Sequence, residues 1–332
     1  MTPLLVGLPV YNGAGTIGAT LENLLRQTHR DFSALVYDDG STDATREVVE
    51  AVAARDARVR LVEGGENRGR GYARNRLLQL AGDGLLAWQD ADDSWHPRKL
   101  EEQLAAYARL SAAEGRDLVL LSSYRLRRID RRDAGEEVRE PPERYDLAHV
   151  LSDAYRACPF QLQACLGPAR CFREAGGFDD ALNWSEDLDL LLKLLRAGVP
   201  VLGHRAAEPL ATYNHSYRGT EGAVVEAAQQ VICDRFRAFA AAEGFDLDRV
   251  YRRRAAHYLG RVYRREGELG AALRANLQSL AVAAPDETEQ LQLIADNILK
   301  IVDQQARVAA GREIDRRRGP LLRRLVKLLG GR

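Results

Sequence analysis

The chain has 332 residues, and its 48 Lys and Arg balance 48 Asp and Glu, so the formal net charge is zero. That length exceeds one typical domain and can bury a sizeable core, while the neutral balance removes the basic field that would argue for nucleic acid as a partner. No apolar run reaches the roughly 18 residues of a membrane span, and the four cysteines (Cys158, Cys165, Cys171 and Cys233) form no Cys-x-x-Cys pair, which argues against a zinc site or a thioredoxin-like motif.

The start, Met1-Thr2-Pro3, enters an apolar stretch without the basic region of a signal peptide. A cytoplasmic protein with reduced thiols in or near its core is expected. Leu4 to Leu8 is a short apolar run that stops at Pro9, and Thr16 to Gln27 follows with helical spacing through Ile17, Leu21, Leu24 and Leu25. Phe32 to Tyr37 reads as a second strand ending at Asp38-Asp39-Gly40, and Ser41-Thr42-Asp43 offers N-cap chemistry to a helix carrying Val48, Val49 and Val52. Val59 to Val62, Leu85 to Trp88 and Leu118 to Leu121 are further strands, separated by helices over Arg70 to Leu80 and Pro97 to Leu110. This β-α-β alternation predicts a mostly parallel sheet covered by helices. Ligands of such sheets sit beyond the carboxyl ends of the strands. Three strands end there in polar turns: Pro9-Tyr11-Asn12, Asp38-Asp39-Gly40 and Asp90 to Asp93.

Arg125 to Glu143 is charge-rich, ends in Pro141-Pro142, and reads as a long mobile loop or insertion. Tyr145 to Tyr213 is mixed. Within it, Gly176-Gly177-Phe178 precedes Trp184-Ser185-Glu186-Asp187, which opens a helix with Leu188, Leu191, Leu192 and Leu195 on one face. From about Thr220 the pattern is helical to the end. Leu259-Gly260, Tyr263, Gly267, Ala272 and Pro285 resemble one tetratricopeptide unit, but no second copy is visible, so a plain helical hairpin is expected. The tail Leu321 to Leu329 is basic and amphipathic, suited to packing on the protein or to peripheral contact with the inner face of a membrane.

The chemistry concentrates in acidic segments. In an extended stretch, residues two apart point the same way, so Asp90 and Asp92 can face one cavity with Asp93 beside them. Clustered carboxylates repel, and a hard divalent cation with oxygen ligands is the natural compensation. A solvated turn before the helix at Pro97 is the plainer alternative. Asp38-Asp39 likewise suits either a ligand's hydroxyl or imide donors or simple turn chemistry. Glu186-Asp187 follows Ser185, which can N-cap the helix, and acidic residues are favoured in a first turn by the helix dipole.

Taken in order, Pro9-Val10-Tyr11-Asn12, Asp38 to Asp43, Asn67-Arg68-Gly69 with Ala73-Arg74-Asn75, Asp90 to Asp93, Gly176-Gly177-Phe178 and Glu186-Asp187 resemble the family 2 glycosyltransferases of GT-A fold, over roughly Leu4 to Tyr213. The resemblance implies a GT-A domain over 1–219, with a nucleotide-binding half at 1–93 and an acceptor-binding half at 94–219, followed by a helical region at 220–332. It implies inverting transfer from a nucleotide diphosphate sugar, most plausibly a UDP-sugar, to a saccharide, lipid-linked or other hydroxyl acceptor. Pro9, Tyr11, Asn12, Asp38, Asp39, Arg74, Asp90 and Asp92 would bind the nucleotide sugar, with Arg74 near the base or the phosphates. Asp92, with Asp93 and His215 as further candidates, would hold Mn2+ or Mg2+. Asp187 would be the catalytic base with Glu186 beside it, and Gly177 and Trp184 would face the acceptor. The other five histidines lack metal-set spacing. A homodimer is compatible with the sequence. Two other readings are a nucleotidyltransferase, disfavoured because Gly13-Ala14-Gly15 has no nearby Lys or Arg, and a non-catalytic scaffold acting through the helical C-terminal part.

Overall fold

The computed structural model describes residues 3–129, 135–153, 160–215, 221–282 and 288–310. Strands that read as unbroken apolar runs must be covered on both faces, which is the condition of a parallel sheet under helices. β1 (Leu4–Val10), β2 (Ser33–Asp38) and β4 (Leu85–Trp88) have this character, and β1 and β4 are buried almost throughout, whereas β3 (Val59–Glu63) carries Arg60 and Glu63 and lies at the sheet edge. β5 (Ser94–Trp95), β6 (Val119–Ser122), β7 (Tyr124–Arg128), β8 (Glu136–Arg139), β9 (Cys165–Pro168), β10 (Val201–His204) and β11 (Ala211–His215) complete the strands.

The main sheet has the order β10-β6-β9-β4-β1-β2-β3, and only β9 runs antiparallel to its neighbours. The expected α/β architecture with a mostly parallel sheet is therefore present. β1 pairs with β2 on one side and β4 on the other, and the chain order reverses between them. Such a switch point opens a crevice beyond the strand ends. Here those ends release Tyr11-Asn12, Asp39-Gly40 and Asp90 to Asp93.

Helices α1 (Ile17–Leu25), α2 (Thr45–Ala53), α3 (Arg70–Leu80), α4 (Lys99–Glu114), α5 (Leu147–Asp153), α6 (Ala169–Glu174) and α7 (Glu186–Arg196) belong to this first unit. Their apolar faces supply Ile17, Leu21 and Leu24, Val49 and Val52, and Leu188 to Leu192 to the core. α4 stops at Gly115, which takes the left-handed conformation at φ +67° that glycine adopts without a Cβ penalty. Edge-to-face contacts of Trp88 with Phe172 and Phe178, at 6.1 and 5.4 Å between ring centroids, tie the end of β4 to the Gly176-Gly177-Phe178 turn. Each such pair contributes about 0.5–1.5 kcal/mol beyond area burial.

The charged stretch after β6 corrects the loop expectation. β7 and β8 form an antiparallel hairpin, and β7 joins β11 and β5 in a second, four-stranded sheet. Tyr124 and Leu126 alternate with Arg125 and Arg127, the period of a half-buried strand. The arginines face the partner strand's Glu136, which both pair with. The charges that suggested a solvated loop are instead opposite-sign cross-strand partners.

The second unit is helical, with α8 (Gly222–Ala242), α9 (Leu247–Glu266), α10 (Leu269–Val282) and α11 (Thr288–Ala310). α9 and α10 form a hairpin that turns at Gly267, φ +83°. Gly260 lies so close to Asn276 that a Cβ would sit 1.9 Å from its Nδ2. Glycine there lets the two helices meet. Pro285, Cys158 and the tail Leu321 to Leu329 lie outside the described residues. Cys165, Cys171 and Cys233 are buried free thiols. Among the described residues no helix is long and apolar enough to cross a membrane.

Candidate active site at the strand ends

The first wall of the crevice is a knot of loops after β1 and β2. Asn12 sits at φ +51°, a conformation asparagine tolerates better than most residues. Its backbone N–H donates to Ser41 Oγ at 2.8 Å, and its Oδ1 accepts from the Thr42 N–H at 2.8 Å. Asp38 accepts from the Ser41 N–H at 3.0 Å. Asp43 accepts from the Thr45 N–H at 3.0 Å and the Ala14 N–H at 3.1 Å. Asp39 is 3% exposed and takes the N–H groups of Arg68 (3.1 Å) and Gly69 (2.7 Å). Burial, and secondarily the charge of Asp38, push the Asp39 carboxyl above its usual range against the pull of those amides. Gly40 is obligatory beside it: φ is +76°, and a Cβ would lie 2.6 Å from the Glu66 backbone. Asp38 and Asp39 therefore hold the turn in this structure. Pro9 is part of β1, and Tyr11 stands 46% exposed at the rim.

The second wall is the acidic segment. Asp93 is 2% exposed, and both its oxygens are taken: Oδ1 accepts the Asn214 N–H at 2.7 Å and Oδ2 accepts Gln163 Nε2 at 2.6 Å. The same Gln163 nitrogen reaches Asp90 Oδ2 at 3.0 Å, while Asn214 Nδ2 donates to the Asp92 carbonyl at 2.6 Å. Burial, then the charges of Asp90 and Asp92, raise the Asp93 carboxyl well above the carboxylate range. Asp92 differs from its neighbours. Its side chain is exposed, and it too is raised, by the protein packed around it and then by Asp90. Of these three mutually repelling carboxylates only Asp92 faces solvent, so Asp92 is the one that could hold a divalent cation. Magnesium is commonly held by one or two carboxylates together with substrate phosphates. Among the described residues no group of three or more His, Cys, Asp or Glu side chains is placed to hold a metal ion.

Gln163 and Asn214 were not legible as site residues. Neutral amides carry no charge signature, and Gln163 lies in an otherwise apolar run. Gln163 is positioned from below: Gln103 Nε2 donates to the Ala164 carbonyl at 2.7 Å, and Lys99 Nζ donates to Gln103 Oε1 at 2.7 Å. Lys99 is fully buried with its ammonium 3.6 Å from the centre of the Trp95 ring, and burial pulls it down to about 7.

Arg74 ties the acidic segment to the start of α7. It is 3% exposed, with Nη2 2.9 Å from Asp90 Oδ1 and Nη1 2.6 Å from Glu186 Oε1. Its charge is strengthened because Asp90 and Glu186 outweigh the cost of burial. Glu186 is buried at 4%; burial raises it, but Arg70 and Arg74 prevail and hold it below the usual carboxylate range. The structure thus places Arg74 inside a buried Asp90–Arg74–Glu186 bridge, not open toward a base or phosphate. Asp187 is half-buried beside it in the first turn of α7 and accepts the Leu188 N–H at 2.8 Å. Ser185 does not cap this helix: it adopts φ +57° and makes no side-chain cap bond.

Gly177 has φ +59°, and a Cβ there would meet Asn75 Oδ1 at 2.7 Å. Asn75 uses that space to clasp both backbone groups of Phe178 at 2.9 Å. Gly177 shapes the turn, and its carbonyl accepts Lys193 Nζ at 2.9 Å. Trp184 is half-buried just before α7. On β11 it is Asn214 that contacts the acidic segment; His215 Nδ1 lies 3.1 Å from Tyr213 Oη on the same strand.

The sequence model described as Glycosyl transferase family 2 matches residues 5–159. An uncharacterised glycosyltransferase of Rickettsia typhi is 27% identical over 199 residues, covering 59% of this chain and 60% of that protein. WfgD of Escherichia coli, a UDP-Glc:α-D-GlcNAc-diphosphoundecaprenol β-1,3-glucosyltransferase, is 36% identical over 98 residues, 30% of this chain and 38% of WfgD. The structure of the mannosyltransferase PcManGT from Pyrobaculum calidifontis, in complex with GDP-Man and Mn2+, has TM-score 0.51 at 19% identity and covers 98% of this chain and 81% of that one. The fold likeness is of GT-A type. The match spans about 60% of the length of the Rickettsia relative.

Proposed function

Because residues 5–159 match the family 2 glycosyltransferases, we propose that this chain moves a sugar from a nucleotide diphosphate sugar to an acceptor hydroxyl, with inversion at the anomeric carbon. The observation that carries this reading is the Arg74 bridge. One buried guanidinium joins Asp90 of the strand-end segment to Glu186, the neighbour of Asp187. It thereby holds a donor-side carboxylate and a candidate base on the two sides of one opening. Single displacement needs that layout, because the acceptor attacks the face opposite the leaving group.

In this reading the acceptor hydroxyl gives its proton to Asp187 as its oxygen bonds the anomeric carbon. The bond from that carbon to the diphosphate oxygen breaks, and the nucleoside diphosphate leaves with the electron pair. A carboxylate does not deprotonate a free alcohol, but it accepts the proton as the attacking oxygen becomes acidic. Asp92 is the residue that would hold Mn2+ or Mg2+ with the substrate phosphates, and such an ion supplies charge neutralisation to a departing diphosphate. Asp93 is committed to Gln163 and Asn214 and serves to shape the segment. Asp90 faces the donor ribose or sugar. Pro9, Tyr11 and Asn12 line the base side, where the knot of turns built on Asp38 and Asp39 fixes their position. Gly177 and Trp184 border the acceptor side.

A UDP-sugar is the favoured donor, in keeping with the donor printed in WfgD's name, and a lipid-linked saccharide is a fitting acceptor class on the same ground. The test uses the full chain with UDP-, GDP- and dTDP-sugars, with manganese and after EDTA treatment. Expected are a nucleotide-dependent rise in Tm, donor turnover with manganese, and its loss on chelation. Asp187→Asn should keep nucleotide binding and lose about 10²–10⁴-fold in kcat. Normal turnover by that variant removes Asp187 from the base role, and full activity after thorough chelation removes the metal.

A further inference from the structure

We propose that Arg70 is the group with which this site recognises a substrate phosphate or diphosphate, an assignment that rests on the glycosyltransferase reading above. Arg70 opens α3 one turn before Arg74, so the two arginines project from the same helix face. Both reach the same atom: Glu186 Oε1 lies 3.3 Å from Arg70 Nη1 and 2.6 Å from Arg74 Nη1. Their situations otherwise differ. The Arg74 side chain is 4% exposed, with one terminal nitrogen on Glu186 and the other on Asp90. The Arg70 side chain is 61% exposed and holds Glu186 through Nη1 alone.

Glu186 has its buried partner in Arg74 at the shorter distance, and because Arg74 also serves Asp90, Arg70 adds to the positive charge that keeps Glu186 ionised. An ion pair made by a mostly exposed arginine adds little stability. What Arg70 adds is a cation anchored at one nitrogen on a side chain that is otherwise mostly exposed. Asp90, Asp92, Glu186 and Tyr213 all lie within its electrostatic reach. Arg70 therefore stands beside the same carboxylates that border the proposed reaction centre. Arg68, two residues earlier, is turned elsewhere and covers the Tyr72 ring at 3.8 Å.

The planar guanidinium matches phosphate oxygens in a two-point fork, which a lysine ammonium does not. The bond to Glu186 holds the fork in place before substrate arrives, so less freedom is lost on binding. The phosphate can belong to the donor's diphosphate or to a phosphate-bearing acceptor. The chemistry is shared, and the experiment separates the sources.

Full-length wild type, Arg70→Ala and Arg70→Lys are compared by calorimetric titration with UDP and uridine, and with GDP and guanosine, in the presence of manganese. Arg70→Ala should weaken the preferred nucleoside diphosphate by about tenfold to a hundredfold, the scale of a lost charge-assisted hydrogen bond, and leave its nucleoside unchanged. Arg70→Lys should fall between, because the charge stays and the fork is lost. Tm should hold, since Arg74 keeps Glu186 paired. In a second arm, the KM of a phosphate-bearing acceptor and of its dephosphorylated form is measured at saturating donor. A rise confined to the phosphorylated acceptor, with nucleotide affinity untouched, supports the assignment and makes the acceptor its source. Equal weakening of diphosphate and nucleoside, or no change in either arm, overturns it while the transferase reading stands. A wild-type chain that binds no nucleoside diphosphate overturns both.

Discussion

The turn after β2 and the turn after β4 are both rich in aspartate, yet they do opposite work. Asp38, Asp39 and Asp43 accept backbone N–H groups, from their own turn and from the neighbouring loops at Ala14 and Arg68-Gly69. Asp90 and Asp93 are instead held by side chains and strands from distant parts of the chain, namely Arg74, Gln163 and the Asn214 backbone. That support leaves Asp92 between them exposed. The first turn is satisfied without any ligand. The second gathers mutually repelling carboxylates, with Asp92 and Asp93 raised, and under the proposed function a substrate and its cation complete it. An acidic motif becomes a structural knot or a ligand site according to how many protein donors converge on it.

Four substitutions put this contrast at risk. Asp92→Asn should have the largest effect, a fall of about two to three orders of magnitude in kcat/KM, as expected when a group that helps neutralise the leaving diphosphate is removed. Its fold should be intact by circular dichroism, and unaltered turnover would erase the distinction between the two turns. Glu186→Ala comes next. It strips a buried arginine of one partner, for which about 3–5 kcal/mol of stability is at stake, read as the shift of a urea unfolding midpoint. Glu186→Gln, which keeps an acceptor for Arg74, should lose much less. Asp39→Ala should unfold more easily by about 1–3 kcal/mol, because it orphans the buried N–H groups of Arg68 and Gly69. If its loss were purely catalytic, with the midpoint unmoved, Asp39 would belong to the ligand and not to the turn.

The smallest effect is a pH dependence. The Asp92 carboxyl is raised in the folded chain. Its contribution to stability is thus fully present below the ordinary aspartate range and is lost as pH rises through the raised value. Asp92→Asn should therefore match wild type near pH 3.5 and exceed it above, by on the order of 1–2 °C in Tm, since solvent screens an exposed group. Added manganese should close that gap by stabilising the wild type alone. A variant equally stable at every pH would show that the segment carries no strain of charge.

Much of the first unit was legible from pattern. The apolar runs at Leu4, Phe32, Leu85 and Leu118 became parallel strands, and the polar residues that follow them share the crevice. The charged stretch from Arg125 misled because its pairing is non-local: Arg125 and Arg127 meet Glu136 only once the chain has turned back. Ser185 misled for a different reason, since a capping residue type does not guarantee the extended backbone that capping needs. Arg74 carried a motif but not its partners, and Gln163 and Asn214 carried no signal at all.

The sequence by itself determined the alternation of strands and helices, the ends at which polar residues emerge, and the order of acidic motifs along the chain. These follow from local periodicity and residue type, which a linear string contains. Only the tertiary structure decided which aspartates are satisfied and which face outward. It also put Arg74 between Asp90 and Glu186 and left Arg70 open beside them. Those outcomes depend on donors brought from residues 70 to 121 positions away, and burial then sets the cost of every charge left without a partner.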